Sequence, residues 1–312
     1  MNPIQELATL AEAPTRSTET GPFRSELPLT RSAESVGNAP GTCRPEPARD
    51  ERPLLVSRHL IELDVRKHFH CTPLFYSPWI SMQPIVFVPG LLCSAEAFAP
   101  QVAALWRFGP VTVASTLEGK SITEMAAAIL AAAPANFALV GISMGGYICL
   151  EIMRQAPGRV FKLALLDTSA RPDSAEQIER RRALVANALT GDFLTLASDA
   201  LSSIVHPSRK VDSNLREINL RMAAEVGVEA FARQTDAIIT RIDSRPSLSA
   251  ISIPTLVLVG DSDPLTPPEL SEEIAAAIPN ARLTVVPQCG HASTLEQPDA
   301  VNSALIEWIT GP

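Results

Sequence analysis

The chain has 312 residues, enough for one large domain or two small ones with a sizeable core. Hydrophobic residues make up 46% and charged residues 19%, an ordinary globular balance. The net charge of −8 is spread along the chain with no basic stripe, which argues against a nucleic-acid partner.

Residues 1–53 are rich in Pro, Ser, Thr, Glu and Arg and hold one aromatic, Phe23. Such a segment buries too little apolar surface to offset its ordering entropy, so a disordered leader is expected. Its start, "MNPIQELATLAEAP", lacks a charged stretch followed by an apolar run and does not read as a signal peptide. Residues 54–81 are more apolar but have no sustained period; they predict one or two short strands or nothing stable. The whole leader, 1–81, is expected to be dispensable. Either translation starts at Met82, or the leader is a regulatory or targeting tail.

From Met82 strand-like and helix-like runs alternate. "IVFV" (85–88) precedes a helical pattern from Ala95 to Trp106, and "VTVA" (111–114) precedes "SITEMAAAILAAA" (121–133). Ser121 is a plausible N-cap there, with Glu124 three residues on and Pro134 as the stop. The apolar run in that helix is too short to span a membrane. "FALVGI" (137–142) precedes a helix from Met144 to about Gln155, and "KLALLD" (162–167) follows. Residues 172–247 read as helical throughout. Then come "TLVLVG" (255–260), a helix over 268–277, "RLTVVP" (282–287) and a last helix over 299–309. Strands that are apolar throughout and alternate with helices predict an α/β fold, with a parallel sheet covered on both faces. Its core would be 82–171 and 248–312, interrupted by the helical block. The five cysteines, Cys43, Cys71, Cys93, Cys149 and Cys289, form no CxxC pair and read as free thiols in a reducing compartment. The expected location is cytoplasmic, with no membrane partner.

The chemistry concentrates at strand ends. Gly141-Ile142-Ser143-Met144-Gly145 lies at a strand-to-helix junction, where a sharp turn would expose the serine hydroxyl and the following helix N-terminus would face a developing anion. A serine hydroxyl is a poor nucleophile at neutral pH; it needs a base, and the base needs an orienting acid. His291 in "QCGHAS" follows the last strand and supplies the base. Asp263 in "VGDSDPLTPP" is the leading acid, with Asp261 and Asp167 as competitors at strand ends. In a parallel sheet these ends meet at one edge. His59, His68, His70 and His206 read as surface residues. An oxyanion needs two backbone N–H donors; Met144 and Leu91, the latter just past Pro89-Gly90, are the candidates.

The elbow "GISMGG", the acid strand "LVGDSD" and the histidine loop "CGHAS" resemble the α/β-hydrolase superfamily, over about Met82 to Trp308. "PGLLCSAEAF" and "LALLDTSARPDS" are similar to its compact esterase and lactonase branch, in the style of 3-oxoadipate enol-lactonases. Pro89-Gly90 departs from the His-Gly that many members carry. The family's first, antiparallel strands would have to come from 54–81. The resemblance implies Ser143 as nucleophile, His291 as base and Asp263 as acid, with no metal or organic cofactor. Residues 172–247 would be a cap, with Leu184, Leu189, Phe193, Leu196 and Phe231 turned inward and Arg180-Arg181-Arg182 solvated. The expected reaction is hydrolysis of a small carboxylic ester. The alternatives are lactone hydrolysis, acyl transfer or perhydrolysis, and ligand binding without catalysis. Leu92, Leu265 and Ile142 would line an apolar site that favours uncharged acyl groups. A carboxylate-bearing lactone would instead need a cation from Arg233, Arg241 or Arg245. With an unperturbed histidine pKa of roughly 6.5, activity should rise from acid to neutral pH.

Overall fold

The computed structural model describes residues 82–311. The leader over 1–81, with His59, His68, His70, Cys43, Cys71 and any early strands, lies outside the described residues. Six strands make one sheet: β1 (Ile85–Val88), β2 (Val111–Val113), β3 (Phe137–Ile142), β4 (Val160–Leu166), β5 (Thr255–Gly260) and β6 (Ala281–Val286). Their order is β2-β1-β3-β4-β5-β6, and every neighbouring pair is parallel. Strand β4 starts two residues before the predicted Lys162, because Val160 pairs with Phe137 through a register irregularity. Lys162 itself is buried, and its Nζ donates to the carbonyls of Trp308 and Gly311, satisfying a helix C-terminus.

The strand side chains alternate between two apolar layers, as a pleated sheet covered on both faces requires. Val86, Val88, Leu139, Leu163 and Val257 pack on one face with helices α2 (Ile122–Ala132), α3 (Met144–Gln155) and α7 (Pro268–Ala277). Ile85, Phe87, Val140, Leu166 and Leu258 pack on the other with α1 (Ala99–Leu105) and α9 (Pro298–Thr310). The helix expected over 95–106 is divided. A 3-10 turn, Ala95–Phe98, precedes α1, whose Pro100 occupies the first turn, where a missing N–H costs nothing. Ser121 caps α2 as expected, accepting the Glu124 N–H at 3.1 Å. Glu124 reaches back to the N–H of Lys120 rather than that of Ser121.

Between β4 and β5 the chain forms α4 (Ala175–Thr190), α5 (Phe193–Ile204) and α6 (Ser213–Ile239). Ser174 and Gln177 close a capping box on α4, and Asp192 caps α5. Gly227, at φ 74°, kinks α6. Phe231 is buried and packs tilted against Phe193 with ring centroids 5.8 Å apart. Leu184 and Leu196 are half-buried. Leu189 is 57% exposed, against expectation, because its neighbour Ala188 holds the inward position of that turn. Arg181 also departs from the solvated face: it turns to the buried carboxylate of Asp173 at 2.6 Å, while Arg180 and Arg182 pair with Glu176 and Glu179 on the outside.

The register aligns the C-terminal ends of the strands. Val88 pairs with Gly141, Ile142 with Leu166, Leu166 with Leu258, and Gly260 with Val286. The chain leaves β1 for β2 on one side and returns to β3 on the other, so the turns after β1 and β3 flank a topological switch point. A final short helix, α8 (Ser293–Glu296), follows the histidine loop.

Candidate active site

Ser143 sits between β3 and α3 with φ 54° and ψ −117°, a conformation that costs a non-glycine residue about 1–3 kcal/mol. Its surroundings hold it there. The Ser143 N–H donates to the Leu166 carbonyl at 2.9 Å, and its carbonyl accepts from the Thr168 hydroxyl at 2.8 Å and the Gly146 N–H at 2.9 Å. The flanking glycines answer to space. A Cβ on Gly141 would lie 2.4 Å from the Gly145 oxygen, and one on Gly145 would lie 2.0 Å from the Val88 oxygen. The same contact brings the end of β1 against the start of α3.

His291 and Asp263 meet this serine. His291 Nε2 lies 2.8 Å from Ser143 Oγ, and His291 Nδ1 lies 2.8 Å from Asp263 Oδ2. Both ring and carboxylate are buried, while Ser143 keeps some exposure. Thr266 donates its hydroxyl to Asp263 Oδ2 at 2.6 Å, and the N–H groups of Leu265 and Thr266 donate to Oδ1. Burial opposes ionisation of Asp263, but the His291 ring and these hydrogen bonds outweigh it and hold the carboxyl below its ordinary pKa. Burial likewise pulls the His291 imidazolium down, and the Asp263 carboxylate outweighs it, so the pKa is raised.

The competing aspartates are occupied elsewhere. Asp261 accepts the Gln288 and Cys289 N–H groups and the Ser262 hydroxyl. Asp167 is fully buried at the end of β4, accepting the Gly260 N–H at 3.1 Å and the Ser293 N–H at 3.3 Å. Burial and the neighbouring Asp263 push its carboxyl pKa up to about 8.

The Pro89-Gly90-Leu91 turn lies beside the elbow: a Cβ on Gly90 would stand 3.4 Å from Ser143 Cβ. Among the described residues neither the Leu91 nor the Met144 N–H has a hydrogen-bond acceptor. A serine bonded to an imidazole whose far nitrogen faces a buried carboxylate can lose its proton as it attacks a carbonyl, and free N–H groups alongside can receive the resulting oxyanion.

Residues 121–298, which include Ser143, Asp263 and His291, match the α/β-hydrolase fold family. The chain belongs to that family. It is similar to a non-heme haloperoxidase of Rhodococcus erythropolis, with 27% identity over 76% of this chain and 96% of that protein. A thermophilic esterase from Thermogutta terrifontis superposes with a TM-score of 0.65 at 27% identity, over 73% of this chain and 89% of the esterase. The enol-lactonase from Burkholderia xenovorans LB400 does so at 0.67 and 25% identity, over 73% and 92%.

In this α/β-hydrolase the three arginines considered for a substrate carboxylate have partners within the chain. Arg241, 7% exposed, pairs with the buried Asp173 at 2.9 Å and lies 4.2 Å over the Tyr147 ring. Arg233 donates to the Leu117 carbonyl, and Arg245 pairs with Asp243. Ile142 packs in the core against one sheet face, Leu92 is half-buried in the turn after β1, and Leu265 is 52% exposed beside the acid.

The contacts of three residues escaped the sequence reading. Glu296, in α8, is buried and accepts the N–H groups of Gly290, Ala292 and His206, clamping the histidine loop to the end of α5. The His291 N–H itself donates to Ile204 O at 2.8 Å. Gln234 from α6 reaches the turn after β1, accepting the Leu92 N–H. A polar residue inside a helix carries no local sign of such a partner; Thr266, three residues after Asp263, did carry one, as an aspartate turn.

Proposed function

We propose that the protein is a serine hydrolase that cleaves a small, uncharged carboxylic ester through an acyl-enzyme. The observation that carries this reading is the unbroken hydrogen-bond chain Ser143–His291–Asp263, with 2.8 Å at each link to the imidazole. Ser143 Oγ attacks the carbonyl carbon as its proton passes to His291 Nε2. The Leu91 and Met144 N–H groups stabilise the oxyanion. The intermediate collapses, and the departing alkoxide takes the proton from His291 and leaves as the alcohol. Water then attacks the acyl group, giving a proton to His291, which returns it to Ser143 as the acid departs. Asp263 fixes the tautomer and stabilises the imidazolium throughout.

Helices α4–α6 act as the cap over this site. An uncharged acyl group is favoured because Arg241 and Arg245 are paired with carboxylates and Arg233 is exposed on a backbone carbonyl, so a buried substrate carboxylate would lack a partner. A panel of p-nitrophenyl esters and of neutral and acidic lactones, run on the native protein and on Ser143→Ala, tests the proposal. Turnover of short esters that disappears in the variant supports it. Turnover confined to acidic lactones would replace it with a lactonase. Acyl transfer to peroxide that outruns hydrolysis would replace it with a perhydrolase.

A further inference from the structure

Gln234 lies in the C-terminal part of α6, after the Gly227 kink, is fully buried, and spans two loops with its amide. Its Oε1 accepts the Leu92 N–H at 3.2 Å. Its Nε2 donates to the Thr116 carbonyl and to Thr116 Oγ1, each at 3.1 Å. The orientation is fixed by chemistry: a backbone N–H must face the oxygen, and a backbone carbonyl must face the NH₂.

The Leu92 contact falls on the residue after Leu91. Leu92 has φ 60°, a left-handed conformation that a leucine keeps only when its surroundings hold it. On the other side, the Cys93 N–H closes the turn onto the Gly90 carbonyl at 3.3 Å. Leu91 is thus fixed between a tight turn and a side-chain clamp. The clamp takes the Leu92 N–H and leaves that of Leu91 without an acceptor among the described residues.

We infer that Gln234 is a positioning residue for the oxyanion site, holding the turn after β1 so that the Leu91 N–H faces the reacting oxygen. The inference rests on the serine-hydrolase reading above. It makes one half of the oxyanion site depend on a helix of the insertion, 142 residues along the chain from Leu92.

The test uses the full chain and Gln234→Met, which keeps the side-chain length and removes all three hydrogen bonds. With p-nitrophenyl acetate, kcat should fall about 10–100-fold, less than the ~10²–10³ that follows removal of an oxyanion donor outright. KM should stay within about threefold, as for an interaction made in the transition state. Phenylboronic acid, whose tetrahedral serine adduct mimics that state, should bind more weakly by a factor similar to the loss in kcat. A structural role alone would lower Tm and the active fraction but leave boronate affinity of the folded enzyme unchanged; that result, or an unchanged kcat, overturns the inference. Should the variant fail to fold, amide exchange on the native protein decides. Leu92 N–H should be protected, and Leu91 N–H should exchange quickly until the boronate binds; equal rates in the free enzyme would overturn the inference. Full turnover in Ser143→Ala would instead remove the serine-hydrolase reading, whatever Gln234→Met does.

Discussion

Ser143 Oγ and His291 Nε2 lie 2.8 Å apart although 148 residues of sequence separate them. The parallel register closes that gap, since β3 and β5 end at one edge on either side of β4 and β6 delivers the histidine loop beside them. If this contact performs the chemistry, Ser143→Ala should lower kcat by about 10⁴–10⁶. A fluorophosphonate should label Ser143 alone, as mass spectrometry of the digest would show. Label on another residue, or turnover retained by the variant, rules out the assignment.

The two aspartates of "GDSD" should behave differently. Asp263→Asn leaves the imidazole in the wrong tautomer and should cost roughly 10⁴ in kcat. Asp261 braces the turn after β6 through the Gln288 and Cys289 N–H groups, so Asp261→Asn should lower Tm more than kcat. Kinetics of both variants, with circular dichroism melts, separate the roles; equal losses of kcat would mean that the acid has been assigned wrongly.

The acid limb of the pH profile should lie higher than an unperturbed histidine would place it. His291 must be neutral to accept the serine proton, and its imidazolium is stabilised by Asp263 despite burial. Below the raised pKa the ring is protonated and the base is lost. kcat/KM should therefore reach half its plateau above about pH 6.5, and residual activity in Asp263→Asn should titrate lower. A wild-type midpoint at or below that value contradicts the electrostatics of the site.

The strands, the elbow and the order Ser, Asp, His were legible because each is local: an apolar run, a Gly-x-Ser-x-Gly turn, a polar residue where a run ends. The choice of Asp263 over Asp261 and Asp167 was only partly so, since all three stand at strand ends; the hydrogen bonds of Gln288, Cys289, Gly260 and Ser293, distant in sequence, separate them. The pairings of Arg241 with Asp173 and of Gln234 with Leu92 were illegible, because a helix of the insertion can present a polar residue inward only once the tertiary fold supplies its partner. Leu189 was misjudged for a different reason: helical periodicity identifies a face but is off by one position near a helix end.

Glu296 should matter to stability as well as rate. Glu296→Ala leaves the N–H groups of Gly290, Ala292 and His206 without their acceptor, at about 1 kcal/mol or more each. For a domain of this size that corresponds to a Tm lower by about 10 °C. Because two of the three flank His291, kcat should fall as well. Calorimetry showing a shift below about 2 °C would mean that water replaces the carboxylate at little cost.

Asp167 offers a test of the electrostatics beneath the site that does not depend on substrate. Its carboxyl is fully buried, has no cation among its hydrogen-bond partners, and has a pKa raised to about 8 by burial and by Asp263. An exposed aspartate in the unfolded chain titrates near 3.9. Between about pH 4 and pH 8 the folded state therefore holds a proton that the unfolded state has released, so this residue makes stability fall as pH rises through that window and level off above it. Asp167→Asn removes the titration and keeps the side-chain shape. The difference in Tm, variant minus native, should thus climb steadily across the window and flatten beyond about pH 8, whatever its absolute sign. Its slope is the informative quantity, because a lost or altered hydrogen bond to Gly260 or Ser293 shifts the whole curve by a constant. Thermal melts at several pH values measure it. A flat difference would mean that Asp167 keeps its charge in the fold, and the His291 imidazolium would then have to balance two carboxylates rather than one.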